Sequence, residues 1–456
     1  MIGYEFEFLV REGNAPLSKK IFLAFHSLLQ KRGWTPIYDA GTKGLLGSKR
    51  GDIFVGTDDG VCIMEINMPP RQKIQACDTE LRRLLAELQT LYLSLGCSII
   101  GISTFPGAFD RTNHDCITAC THDVMCEKTY IKHFNTQRFN TGHHALLIIA
   151  ANQVWLDVEK IHLMREWRLF NSLSPLFVAL FANGPIMNTA PLPVLEGRDY
   201  AWHEMLDTSI VPTDSKLFGM PNTLSASLIE YVDHLMDIPF YCSLRDGKGF
   251  KLADPKKTYK DFLFSKQSDA VWFDGTPFTA SPDITDFLQL HHVSWPHARI
   301  KYRVRLDVTL ADILDAYASR RDDALLGCFS QVFLECRCIS AQPQADISAP
   351  AALLVGLQTN RDATEQFVKE HPYESWQTLY QDALKTGLET PSVIPLIEKL
   401  IALATDGLRA RGFGEEKYLE PLVERCRQRK NPAQEVRLIW EKEGLQGVFR
   451  KRDYTI

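Results

Sequence analysis

The chain reads as an α+β protein in which an antiparallel sheet is packed against helices and followed by a helical C-terminal portion. Three observations carry that reading. Four short or bounded runs of β-forming residues alternate apolar and polar side chains. Several longer segments repeat leucine and isoleucine at three- and four-residue spacing, the period of an amphipathic helix. No strand runs through a glycine fingerprint into a helix, which speaks against a parallel dinucleotide-binding sheet.

Taken in order, Met1 to Val10 is the first strand and Gly60 to Asn67 the second. Asp78 to Leu95 places Leu81, Leu84, Leu85, Leu88 and Leu91 on one helical face. Ser98 to Pro106 has the length of a buried strand, and Ala145 to Val158 is a further strand. Trp167 to Phe181 carries few charges and predicts a buried helix. Gln331 to Ser340 is the last strand run, and the loop-rich Ala341 to Pro350 separates it from the tail. There Ile394, Leu396, Ile397, Leu400 and Ile401, and then Leu419, Leu422 and Val423, recur at helical spacing, with Gly412 and Gly414 bracketing the break. Residues 1–345 read as one catalytic domain and 346–456 as a helical portion packed on it.

Composition sets bounds. In 456 residues, 45% are hydrophobic and 23% charged, as in ordinary globular proteins. A net charge of −5 gives no global attraction to nucleic acid or anionic membrane. No apolar run is long enough to span a bilayer. The start, MIGYEFEF, has no basic region followed by an apolar one, so no targeting segment is expected. The 11 scattered cysteines fit a reducing compartment, and a cytoplasmic setting is expected.

Side chains alternate faces along a strand. Glu5 and Glu7 oppose Tyr4, Phe6 and Phe8; Glu65 and Asn67 oppose Met64 and Ile66. Gln153, Trp155 and Asp157 oppose Val154 and Leu156, and Glu335 and Arg337 oppose Leu334 and Cys336. One such strand has an ordinary explanation, a second face in water. Four, flanked by aromatic and aliphatic residues, point elsewhere. Carboxylates crowded on one face repel unless a cation joins them. Hard cations such as Mg²⁺ take oxygen ligands and keep places for water and phosphate. An acidic sheet face therefore suits Mg²⁺ and a nucleoside triphosphate. A glycosidase carboxylate pair is the weaker reading, because it leaves Arg337 and the other acids without a role.

At these residues the sequence resembles the glutamate–cysteine ligase family, in its plant and α-proteobacterial type. Gly3, Glu5 and Glu7 match the family's opening G-x-E-x-E strand, and CIMEINMPP, Cys62 to Pro70, stands in the place of F-E-L-S-G-A-P. NQVWLDV keeps Gln153 and Asp157 of T-V-Q-V-N-L-D; FNSLSPLFVALFANGPI keeps Asn183 and Pro185. Arg198 and Trp202 match R-x-x-x-W, Glu230 to Tyr241 matches Y-V-D-Y-A-L-D-V-P-M-Y, and Trp295 to Lys301 stands for F-P-E-V-R-x-K. FLECR matches Y-L-E-M-R at Glu335 and Arg337, and TGLETP and DGLRARGF follow the family in the tail.

The resemblance implies a glutamine-synthetase-like fold, with a curved antiparallel sheet, an acidic concave face and helices outside. It implies an ATP- and Mg²⁺-dependent ligase that joins the γ-carboxylate of glutamate to an amine through an acyl phosphate, with cysteine as the first-choice amine. Glu5, Glu7, Glu65 and Glu335 would be metal ligands, joined by Asp58 or Asp59, with Asp59 carried as the ligand. Gln153 would sit at the metal or phosphate edge. Arg337 would stabilise the phosphoryl group, and Arg198 would grip a substrate carboxylate beside Trp202 and Lys216. Lys49 and Arg50, in the glycine and basic run Gly44 to Gly51, would contact nucleotide phosphates. Changing Glu65 or Glu335 to glutamine is expected to abolish ATP turnover with little loss of stability.

Three departures from the family bear on the amine. Ile63 replaces a family glutamine, Lys216 stands where an arginine is expected, and Tyr302 to Val332 separates two motifs that are nearly adjacent in the plant type. That segment is expected to cover the substrate mouth or to form the contact of a homodimer. The alternatives are the same chemistry with another amine, a non-catalytic binding protein on this fold, and a phosphotransferase to a guanidino acceptor. The cluster from His114 to Cys126 has irregular spacing for zinc and reads as a cysteine-rich loop.

Overall fold

The computed structural model describes residues 1–39, 43–58, 60–109, 147–205, 218–240, 242–245, 247–292 and 294–455. Among them the main sheet has ten strands. In chain order these are β1 (Ile2–Glu12), β2 (Ala15–Pro16), β3 (Thr35–Tyr38), β4 (Leu45–Arg50) and β5 (Ile53–Gly56), then β6 (Ile63–Arg71), β7 (Cys97–Ile100), β8 (Asn152–Val158), β9 (Ala298–Val304) and β10 (Phe329–Cys336). Every pairing is antiparallel, in the order β9-β10-β8-β1-β6-β5-β4-β3, with β2 and β7 also on β1. The first strand of the sequence thus lies near the centre of the sheet.

One face of the sheet is apolar. Tyr4, Phe6, Phe8, Met64, Ile66, Val154, Leu156 and Leu334 are buried on it, with Tyr4 and Phe6 stacked at 5.5 Å. Two helices from the first part of the chain, α1 (Lys19–Lys31) and α2 (Ile74–Ser94), turn their apolar stripes inward, and Phe25 stacks on Tyr92 at 3.9 Å. The leucine pattern predicts α2 from Asp78, but the helix starts at Ile74. Glu415, from the distant tail, accepts the Ile74 N–H at 2.7 Å and satisfies a donor that the helix itself leaves open. The predicted buried helix is α3 (Leu163–Phe181), and α4 (Gly197–Met205) follows it.

The tail is helical as expected. Its helices include α5 (Ala349–Thr359), α6 (Val393–Arg411) and α7 (Pro432–Arg452). Helices α5 and α6 touch backbone to backbone: a Cβ on Gly407 would lie 1.9 Å from the Gly356 carbonyl oxygen. Gly412 ends α6 at φ +71°, a conformation that suits glycine.

The expected curved sheet is corrected by the structure. The main sheet is open, with β9 and β3 as its two edges, and three smaller sheets stand apart from it. Closure needs the two edge strands to pair, and β9 pairs only with β10 while β3 pairs only with β4. The fold is α+β with several sheets, none curved or closed. The segment from Tyr302 to Val332 contains two short helices, Leu310–Ala318 and Asp322–Gly327, set between the paired strands β9 and β10. The described cysteines are free thiols, and among the described residues no helix is long and apolar enough to cross a membrane.

Candidate active site

Strand register brings the predicted acids to one face. Glu7 stands opposite Glu65, and Glu5 opposite both Asn67 and Gln153. Trp155 stands opposite Glu335, and Glu335 opposite Arg299. Glu5, Glu7, Glu65, Gln153 and Glu335, on four adjacent strands, therefore share the face away from the aromatic core.

Hydrogen bonds join them. Gln153 Nε2 donates to Glu5 Oε1 at 2.9 Å and to Glu7 Oε1 at 2.7 Å, while Arg337 donates to Gln153 Oε1 at 2.6 Å. The Ala151 N–H donates to Glu7 Oε2 at 2.7 Å, and Asn67 donates to Glu65. Glu335 accepts from Arg299 Nε at 2.6 Å and lies 3.3 Å from Arg337. Arg198 is buried, and it donates to the Arg337 carbonyl at 2.9 Å.

The acids fall into two electrostatic groups. Desolvation, with the charges of Glu335 and Glu7, pushes Glu5 up to about 8. Desolvation and Asp58 push Glu7 up to about 7, against the pull of Arg198 and Arg337. Glu65 is raised well above the carboxylate range by desolvation and by Glu5, Asp58 and Glu7. Asp58 is raised by desolvation, against the pull of Arg337, Arg198 and Arg299. Desolvation would raise Glu335 too, but Arg299, Arg337 and Lys301 reverse it and hold this carboxyl low. The acids Glu5, Glu7 and Glu65 thus call for positive charge, whereas Glu335 already has it.

Three hard-oxygen carboxylates held near protonation fit a divalent cation in their chemistry. They are not yet gathered around one. Among the described residues no group of three or more such side chains stands ready to hold a metal. Their oxygens are instead shared with Gln153 and Asn67.

Beside the acids lies a cavity of about 460 Å³. Trp155, Phe333, Tyr302 and Met68 give it apolar walls, and Glu5 and Lys301 line it too. Lys301 Nζ lies 5.5 Å from the Trp155 ring, and desolvation together with Arg299 pushes its ammonium down to about 7. Both ends of the inserted segment reach this cavity, at Tyr302 and Gln331.

Other expected residues are placed differently. Helix α4 carries Arg198 and Trp202 four residues apart and so on one side. The Trp202 ring is stacked on Phe218 at 5.0 Å and set 5.3 Å from Trp295. Lys49 pairs with Phe54, which pairs with Asn67, so Lys49 shares the acidic face. Arg50 points the other way, donating to Glu87 at 3.1 and 2.8 Å and lying over Trp34. Asp59, Lys216 and the His114 to Cys126 cluster lie outside the described residues.

Arg299, Lys301 and Asn67 carry site contacts that the sequence pattern alone did not assign. The alternation of His297, Arg299 and Lys301 was the signal available for the first two, a fifth strand with one polar face.

Comparison with known proteins points to one family. Residues 1–451 match the model of glutamate–cysteine ligase family 2. The chain is 22% identical over 438 residues to the chloroplastic glutamate–cysteine ligase of Brassica juncea, covering 93% of this chain and 73% of that protein. It is 23% identical over 419 residues to the Arabidopsis thaliana enzyme, covering 89% and 69%. In fold it is similar to the AMP-bound glutamate–cysteine ligase of Francisella tularensis, with TM-score 0.50, 11% identity, and coverage of 98% of this chain and 86% of that one. The expected cytoplasmic setting is corrected: these plant relatives are chloroplastic proteins, and cysteine usage reports redox state, not compartment. With its whole main sheet and nearly all of its helical tail inside the matched range, the chain belongs to glutamate–cysteine ligase family 2.

Proposed function

We propose that the chain is an ATP- and Mg²⁺-dependent ligase that joins the γ-carboxylate of glutamate to the amine of cysteine. The observation that carries this reading is one sheet face with three cation-seeking acids at its centre, arginines at one side and an apolar-walled cavity at the other. In this proposal Glu5, Glu7 and Glu65 hold Mg²⁺, with Glu335 and Asp58 beside them. The ion would supply charge neutralisation and alignment of phosphate oxygens. The cavity walled by Trp155 and Phe333 takes the purine. Arg337, already turned toward Gln153 and the acids, stabilises the transferring phosphoryl group. Arg198 offers a planar fork to a substrate carboxylate. Gln153 ties Arg337 to the acid pair and so fixes the distance between cation seat and cationic donor. Residues 1–345 carry this chemistry, and 346–456 support it.

A second reading keeps the reaction and changes the amine. Ile63 favours it, since two residues before Glu65 it stands on the same face, where the family carries an amide. The test is an amine screen that follows ADP release with glutamate and Mg-ATP. Cysteine-dependent release with formation of γ-glutamylcysteine is expected. Release with another amine alone would select the second reading, and binding of Mg-ATP without release under any amine would refute both.

A further inference from the structure

The cavity beside the acids has a polar outer end that the proposed chemistry does not use. On β8 the residues of this face run Gln153, Trp155, Asp157, and on the antiparallel β10 they run Glu335, Phe333, Gln331, with Phe333 opposite Asp157. Both strands thus lead from the acid cluster, past an aromatic ring, to a polar side chain. At the rise of an extended strand, the path from Gln153 to Asp157 is about 13 Å. Asp157 and Gln331 both line the cavity.

These two side chains hold each other. Gln331 Nε2 donates to Asp157 Oδ1 at 3.2 Å. A carboxylate has no hydrogen to give, so the amide turns its nitrogen to Asp157 and its Oε1 away. The other Asp157 oxygen lies 3.6 Å from the Met1 amino group. Arg303, opposite Gln331 on β9, is set over the face of the Phe333 ring at 5.6 Å. Gln331 Oε1 has no donor among the described residues and offers an acceptor at this end of the cavity.

We propose that Gln331 is a specificity-determining residue that reads the base of the nucleotide: its Oε1 accepts the exocyclic amine of adenine, and Asp157 holds the amide in that orientation. This rests on the ligase reading and its placement of the purine. With the phosphates at the acids and the base on Trp155, the outer edge of the base comes to Gln331. Adenine carries an N6 donor where guanine carries an O6 acceptor. An acceptor at this place favours adenine and sets two oxygens face to face with guanine. Gln331 stands at the end of the segment that separates two motifs nearly adjacent in the plant type, so the reading group comes from that segment and not from the shared motifs.

The test is calorimetric titration of the full-length protein, in Mg²⁺, with ATP, GTP and purine riboside triphosphate, which has hydrogen in place of the 6-amino group. The parent is expected to bind ATP about fivefold more tightly than purine riboside triphosphate, the weight of one hydrogen bond, and GTP more weakly than either. Gln331→Met keeps the bulk and removes the acceptor. Its affinity for ATP is expected to fall to that for purine riboside triphosphate, which itself stays at the parental value. Equal binding of those two nucleotides by the parent, a parental preference for ATP in Gln331→Met, or an equal loss of both in that variant would overturn the proposal. GTP bound as tightly as ATP would assign the rim to Arg303 and overturn it too. If the variant does not fold, the parental comparison decides. A parent that binds the nucleotides but shows no ADP release with any amine refutes the ligase reading, and the titrations still show whether Gln331 reads the base. Binding of none of the three refutes both.

Discussion

Glutamine in place of Glu335 and glutamine in place of Glu65 are expected to do opposite things to stability, although the sequence treats the two acids as equals. Glu335 is buried and bonded to Arg299, with Arg337 3.3 Å away. Removing its charge leaves two buried guanidiniums facing a neutral amide. Breaking a buried pair by removing one partner costs about 3–5 kcal/mol. A chain of this length shifts by less than the roughly 2–4 °C per kcal/mol of a mid-sized domain. Glu335→Gln should therefore lower the melting temperature by roughly 5 °C. Glu65 faces Glu5, Glu7 and Asp58 and is already held near its protonated form. Glutamine imitates that form, so Glu65→Gln should leave the metal-free melting temperature unchanged or raise it. Both variants should lose ATP turnover. Differential scanning calorimetry of the metal-free proteins beside an ADP-release assay reads both effects. Equal melting temperatures for the two variants would refute the division of the acids into a cation-seeking and a neutralised group.

Further expectations follow from the same geometry. Glu5 has its folded-state affinity for protons raised, so its contribution is present below the ordinary glutamate range and is lost as pH rises through about 8. Glu5→Gln should gain stability relative to the parent as pH rises from about 5 to 8, measured as a difference in melting temperature that Mg²⁺ abolishes; a difference independent of pH would contradict it. Trp155→Ala should raise the KM for ATP about tenfold, the weight of one aromatic contact to a base, and an unchanged KM would move the purine elsewhere. Lys49→Met should weaken ATP, whereas Arg50→Met should not, because Arg50 is engaged by Glu87 on the helical side. Equal effects would mean that strand register does not govern nucleotide contact.

Strand alternation made much of the site legible. Glu5 and Glu7 are read onto one face by the period of two alone, and the same rule works for Glu65, Gln153 and Glu335. What the period leaves open is how separate strands align. The pairing of Glu335 with Arg299 depends on register between β9 and β10, across the two inserted helices. Lys49 and Arg50 are neighbours in a basic run, and only the pairing of β4 with β5 tells which one meets the acids. The early start of α2 depends on Glu415, 341 residues away. The curved sheet came from the resemblance and from no residue pattern, and it is the part of the fold that required correction.

The place of β1 near the centre of the sheet has a consequence for how the chain reaches its native state. This strand is joined to β6 from nearby in the sequence, but to β8 only after residue 150 and, through Arg11, to Asp453 over a separation of 442 residues. Tyr454 closes over Phe8 with ring centroids 5.6 Å apart. Such distant contacts pay loop-closure entropy before they return any stability, and folding slows as contacts become less local. During synthesis β1 waits for β8 until Val158 has been made, and for its contacts to Asp453 and Tyr454 far longer. The two acids that open the site thus sit on a strand that draws its most distant contact from a residue 442 positions further along the chain.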